Sequence, residues 1–179
     1  ADARAKQIAT GRLELTGVSA FPILGGDNIK TEPWPKPWAA HASPSAVTVT
    51  PLKPRRLGEA FEELRDVADA AEGFTVFLAS MGEIAEHNVR TTWVKNYLAA
   101  GGIETIISDG YDSASVAAAA FNNSGTTVAC ICSSDAVNAT HAEITARALK
   151  AKGATWVMMA GRPDPKDPAK EAALRAAGV

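Results

Sequence analysis

The sequence predicts a doubly wound α/β domain, a parallel sheet covered by helices on both faces, preceded by an extended arm. Three observations predict it. From Leu57 onward, four short apolar runs alternate with helical patterns, as parallel strands joined by crossover helices require. The 179 residues, 46% hydrophobic and 21% charged, have the balance of one globular domain and not of a disordered or fibrous chain. Residues 21–56 hold seven of the ten prolines, a density that neither a helix nor a central strand survives.

The elements follow in order. Ala1 to Thr10 reads as a short helix, closed by Gly11 and followed by the apolar patch Leu13 to Val18. In the 21–56 arm, Pro33, Pro35 and Pro37 interleave with Trp34 and Trp38, two indoles that need a surface to lie on. The arm is therefore expected to be an interface element, held extended by its prolines. Leu57, Ala60, Phe61, Leu64, Val67, Ala68 and Ala71 recur at helical spacing, which predicts an amphipathic helix over 57–72 ending at Gly73.

Phe74–Ala79 reads as the first strand, 88–100 as a helix closed by Gly101 and Gly102, and Ile103–Ile107 as the second strand. An Ala-rich helix over 113–121 opens at Asp112 or Ser113 as cap. Val128–Cys132 is the third strand, 135–151 a helix closed by Gly153, and Thr155–Met159 the fourth strand. A last helix spans about 168–177, and the run stops at Val179, where a fifth strand would follow in a sheet of order 2-1-3-4-5.

Charge excludes several functions. Eighteen basic against twenty acidic residues give a net −2, neither a nucleic-acid footprint nor a polybasic membrane anchor. No apolar run reaches bilayer length and the N-terminus is no signal peptide, so a soluble, cytoplasmic protein is expected. A first residue Ala1 instead of Met predicts a processed chain or an excised piece of a longer one.

Ligands of open parallel sheets bind at the carboxyl ends of the strands, where the strand order reverses. That rule collects the loops 80–88, 133–135 and 161–164 on one rim, and with them Gly82, His87, Ser133, Ser134 and Gly161. Gly82 reads either as a phosphate cradle at a helix start or as a plain turn. Ser133 and Ser134 read either as ligand partners or as helix caps. His87 is expected to be a solvated loop or helix-start residue, and Glu83 and Glu86 to be acids of a helix start, with an acid/base pair as the alternative. His141, one turn from Val137 and Ile144, is expected at the edge of the core face, and His41 sits in the arm. Asp109 and Gly110 read as a turn. Cys130 and Cys132 share one strand face and are expected to be small buried hydrophobes; no further Cys or His pair completes a metal site.

The run Val76-Phe-Leu-Ala-Ser-Met-Gly82, followed by Cys132-Ser-Ser134 after the third strand, resembles the cobalamin-binding domain of methylmalonyl-CoA mutases, a flavodoxin-like fold. Ile8-Ala-Thr and Leu15-Thr-Gly-Val-Ser-Ala-Phe-Pro22 look like the end of that family's TIM barrel. The Pro-rich arm and Leu57 to Arg65 are similar to its linker. The resemblance implies a barrel remnant over 1–20, the linker over 21–56 and a cobalamin-binding-like domain over 57–179.

One departure qualifies the match. Cobalamin-binding members carry Asp-x-His-x-x-Gly after the first strand, where the His ligates cobalt, the Asp orients it and the Gly leaves room for the nucleotide tail. Aligned on Met81 and Gly82, this chain offers Ile84, Glu86 and Val89; shifted by one, it offers Ala85, His87 and Arg90. Neither register supplies the acid or the glycine, and the family's Gly-Gly after the fourth strand is reduced to Ala160-Gly161-Arg162. The pattern resembles the small, non-catalytic subunit of heterodimeric mutases. That implies no catalytic residue and no cofactor in this chain, and a large-subunit partner that holds adenosylcobalamin and interconverts methylmalonyl-CoA and succinyl-CoA. The alternatives are a cobalamin carrier using His87 as cobalt ligand, or an unrelated nucleotide- or flavin-binding module; against the latter, no loop carries a Gly-rich phosphate signature.

Overall fold

A computed structural model of the chain describes residues 2–25, 32, 56–71, 73–163 and 166–179. Most of the 21–56 arm, with Trp34, Trp38 and His41, lies outside the described residues, as does Asp164.

Four strands, β1 (Thr75–Ser80), β2 (Glu104–Ile106), β3 (Val128–Cys132) and β4 (Trp156–Ala160), pair in parallel in the order β2-β1-β3-β4. This is the expected 2-1-3-4 order; no fifth strand occurs among the described residues. The central strands are apolar on both faces because helices cover both. Alternation along β1 and β3 sends Phe77, Ala79, Ala129 and Ile131 to one side, where they meet Phe121 and Leu149. Val76, Leu78, Cys130 and Cys132 go to the other side, where they meet Val94 and Leu98.

Helices α1 (Asp2–Ala9), α2 (Glu59–Ala70), α3 (Ile84–Ala100), α4 (Ala114–Asn123), α5 (Asp135–Ala151) and α6 (Pro168–Ala176) complete the chain. Ala117, Ala142 and Ala146 are fully buried, and their small side chains bring α4 and α5 close to the sheet. Phe77 and Phe121 meet edge to face with centroids 5.7 Å apart.

Two elements depart from expectation. Helix α3 begins at Ile84 instead of 88, because Glu83 takes an extended conformation (ψ 161°) and starts the helix without a side-chain cap. The supposed 80–88 loop is thus only a few residues long, and His87 sits on a helix. Helix α2 has the expected amphipathic pattern but no buried residue: Leu64 is 56% and Val67 68% exposed. It lies beyond the end of α3, tied there by Arg65, whose Nε donates to Ala100 O at 3.1 Å. No helix of the described residues is long and apolar enough to cross a membrane.

Candidate functional site

The carboxyl ends of the strands form the rim on which a doubly wound sheet presents its ligand. Here the loops of that rim bond to one another. Tyr111 N donates to Ser80 O (2.8 Å) and Gly82 N to Tyr111 O (2.9 Å), which joins the loops after β1 and β2. The Ser133 hydroxyl donates to Met81 O at 2.7 Å, which joins the loops after β1 and β3. Ser133 therefore points into the protein. Ser134 is the N-cap of α5, its Oγ accepting from Val137 N at 3.3 Å. Of the two readings open for this pair, Ser134 takes the cap.

His87 corrects the sequence expectation. It is 4% exposed, not solvated, because α3 starts early enough to carry it over the sheet. Its Nε2 lies 3.1 Å from Asp109 O, and its Nδ1 3.3 Å from Thr91 Oγ1, which in turn lies 3.0 Å from Ser80 Oγ. A carbonyl only accepts, so Nε2 carries a proton and donates to Asp109 O; in that tautomer Nδ1 accepts from Thr91, leaving Ser80 to donate to Thr91. Both ring nitrogens are engaged inside the protein. Gly110, at φ +124°, closes this corner: a Cβ there would collide with Gly82 O and lie 2.9 Å from His87 Nε2.

Arg90, one turn further along α3, lies across the ends of β3 and β4. Its Nη1 donates to Ser133 O (2.7 Å) and its Nη2 to Asp135 Oδ1 (2.6 Å). Gly161, at φ +145°, passes so close that a Cβ would lie 2.7 Å from Arg90 Nη1. Asn138 sits alongside, its Nδ2 donating to Ser133 O (3.2 Å) and Ala160 O (3.5 Å).

A cobalt-bound cofactor does not fit these residues. It needs a histidine nitrogen aimed at the metal, an acid on the other nitrogen and an open slot for the tail. The chain offers a histidine with both nitrogens occupied, Ala85 two residues before it, and a guanidinium over Gly161. What remains open on the rim is a shallow hollow of about 380 Å³ lined by Gly82, Glu83, Ile84, Ala85, Asp109 and Gly110, among others. His87 is not in its lining. Gly82 (φ +84°) opens the turn before α3 at that hollow. Among the described residues, no group of three or more His, Cys, Asp or Glu could hold a metal ion.

Cys130 and Cys132 are buried, unbridged and 4.0 Å apart at sulfur, as expected of small core residues. The hydrogen bond to Cys130 and, after it, burial push the Cys132 thiol far above the ordinary thiol range. His141 is exposed, with Nδ1 2.7 Å from Thr140 Oγ1, and does not edge the core. Ala142, Thr145, Ala146 and Leu149 hold the buried face of α5, which turns 141 outward.

Sequence reasoning did not single out Ser80, Thr91 or Asn138, although the 87, 90, 91 spacing puts three polar side chains on one helix face. It also missed a large apolar groove of about 1530 Å³ bounded by α1, α2 and α3, with Ile8, Phe61, Leu64, Val67, Trp93 and Tyr97 in its lining. Trp93 and Tyr97 stack at 5.2 Å and are 60% and 66% exposed.

Comparison with curated proteins places this architecture. A methylmalonyl-CoA mutase small subunit of Streptomyces virginiae is 42% identical over 165 residues, 89% of this chain. The chain is a homologue of methylmalonyl-CoA mutase small subunits. A probable small subunit of Mycobacterium bovis is 36% identical over 163 residues, and the small subunit of Propionibacterium freudenreichii subsp. shermanii 34% over 159. The match falls in the C-terminal part of these proteins, and the chain spans about a quarter of their length. No protein-family model matches. The α/β architecture expected from the resemblance is the one observed in this small-subunit homologue.

Proposed function

We propose that this chain is the C-terminal part of the small subunit of a heterodimeric methylmalonyl-CoA mutase, that it binds no cobalamin, and that its role is assembly with the large subunit. One observation carries the reading: both nitrogens of the buried His87 are bonded to Asp109 O and Thr91, so the only histidine that the described residues place on the rim has no free lone pair for a metal. In this reading the cytoplasmic large subunit holds adenosylcobalamin and carries the interconversion of methylmalonyl-CoA and succinyl-CoA, chemistry that only the cofactor supplies. The residues of this chain do something else. Ser80, Thr91 and His87 hold the loop after β2 against the sheet, and Ser133 holds the loop after β3. The uncovered faces of α2 and α3, with the expected interface character of the 21–56 arm, support large-subunit assembly as their use.

Titration with aquacobalamin tests the reading, because a histidine taking the lower cobalt position changes the visible spectrum. The expected spectrum is the unaltered sum of protein and cofactor. Tight binding that is lost in His87→Ala would overturn the reading in favour of a cobalamin carrier. A thermal shift of several degrees with a nucleotide or flavin would favour the small-molecule module instead; a flat response across them is expected.

A further inference from the structure

The N-terminus of a helix at this rim ordinarily suits an anion, since its free N–H groups carry the positive end of the helix dipole. In this chain the opposite charge lies there. The Arg90 guanidinium sits at the start of α5, its side chain only 26% exposed, within hydrogen-bond distance of two acceptors. Asp135, in the first turn of α5, supplies an anionic acceptor there. The Ser133 carbonyl, freed at the end of β3, supplies the second acceptor. The two acceptors take the two terminal nitrogens of one planar fork, a geometry that a point-charge ammonium does not reproduce.

The pocket around the fork is built and not merely filled. Asn138 is buried, and its amide nitrogen holds both the Ser133 and Ala160 carbonyls, fixing the separation of the loops after β3 and β4. Its Oδ1 has no partner among the described residues, so the amide is oriented by those carbonyls alone. Gly161 supplies the last wall, with backbone where a Cβ would crowd the guanidinium of Arg90 out of its present position.

We propose that the crevice between the ends of β3 and β4 is a guanidinium-binding site whose occupant is the protein's own Arg90. The tethered cation stands where a ligand of the rim would stand, and Gly161 leaves room for it in this position. This rests on the reading that the rim holds no cofactor, and it adds what holds the crevice instead. The site discriminates by charge and shape. It takes a guanidinium, rejects an ammonium for want of a fork, and rejects phosphate because Asp135 faces it.

The test is chemical rescue. Arg90→Ala removes a fragment equivalent to N-ethylguanidinium, and melting temperatures are read on the 179-residue chain with that ion at low millimolar concentration. Arg90→Ala is expected to melt several degrees below wild type and to rise with N-ethylguanidinium, while wild type and Arg90→Ala/Gly161→Ala do not respond. N-ethylammonium is expected to have no effect on Arg90→Ala. No rescue, equal shifts in wild type and variant, or rescue by the ammonium would overturn the proposal. Should Arg90→Ala not fold, Gly161→Ala keeps the arginine. In wild type the Arg90 Nη protons are expected to give separate, slowly exchanging NMR signals, which Gly161→Ala is expected to abolish; their absence in wild type or their persistence in the variant would overturn the proposal. Failure of the rescue leaves the cofactor reading intact, since that reading stands on His87 and the cobalamin titration.

Discussion

Removing the imidazole of His87 measures whether that ring is a strut or a ligand in waiting. In His87→Ala the Asp109 carbonyl and the Thr91 hydroxyl each lose a partner at 3.1 and 3.3 Å, in a place the wild-type ring seals to 4% exposure. An unsatisfied buried acceptor costs about 1–3 kcal/mol, and a small cavity adds to this. Asp109 lies on a loop and regains some hydration, so the sum is about 2–4 kcal/mol. For a chain of this size, 1 kcal/mol corresponds to roughly 2–4 °C, so the melting temperature is expected to fall by roughly 10 °C. The loss is local in origin. Amide exchange should speed most at Tyr111 and Gly82, whose N–H groups pair the loops after β1 and β2. Calorimetry and exchange on wild type and variant provide the assay. A change below about 0.5 kcal/mol, with unaltered protection at Tyr111, would show instead that the ring bears no structure.

Ser134→Ala should cost about 1 kcal/mol through loss of the α5 cap, read as a shift of the denaturation midpoint with unchanged slope. The Cys132 thiol, held protonated by Cys130 and burial, should resist alkylation at pH 8–9 until the protein unfolds. Because the folded thiol sits above its unfolded value, its contribution to stability is full below about pH 8.5 and is lost as pH rises beyond it, so melting temperature should fall on the alkaline side. Trp93→Ser changes an exposed side chain, so folding stability should stay within about 0.5 kcal/mol while association with a large mutase subunit, measured by calorimetry, weakens at least tenfold.

Local signals explain what was legible. β3 and α5 were readable to the residue, because an unbroken apolar run ends at Cys132 and Ser134 caps a helix that Gly153 follows. The start of α3 was not, since Glu83 makes no side-chain cap and the run Gly82 to His87 carries no Ser, Thr, Asp or Asn to announce a helix. That miss hid the burial of His87, whose second partner, Asp109 O, lies 22 residues away on another loop. The amphipathic face of α2 was legible as a pattern, but periodicity states that a face is apolar and not what covers it. The position of Arg90 in the motif register was readable; its bonds to Ser133 and Asp135, 43 and 45 residues away, needed the sheet order to bring β3 beside β1. Gly161 in turn became meaningful only once the guanidinium was seen beside it.

Closure of this rim by the protein's own hydrogen bonds can be read from the ¹⁵N spectrum of His87. The expected signals are those of a ring with a proton on Nε2, slow to exchange with water, and unchanged by a saturating excess of aquacobalamin. A ring protonated on Nδ1 alone, or one whose signals move or vanish when aquacobalamin is added, would contradict that closure.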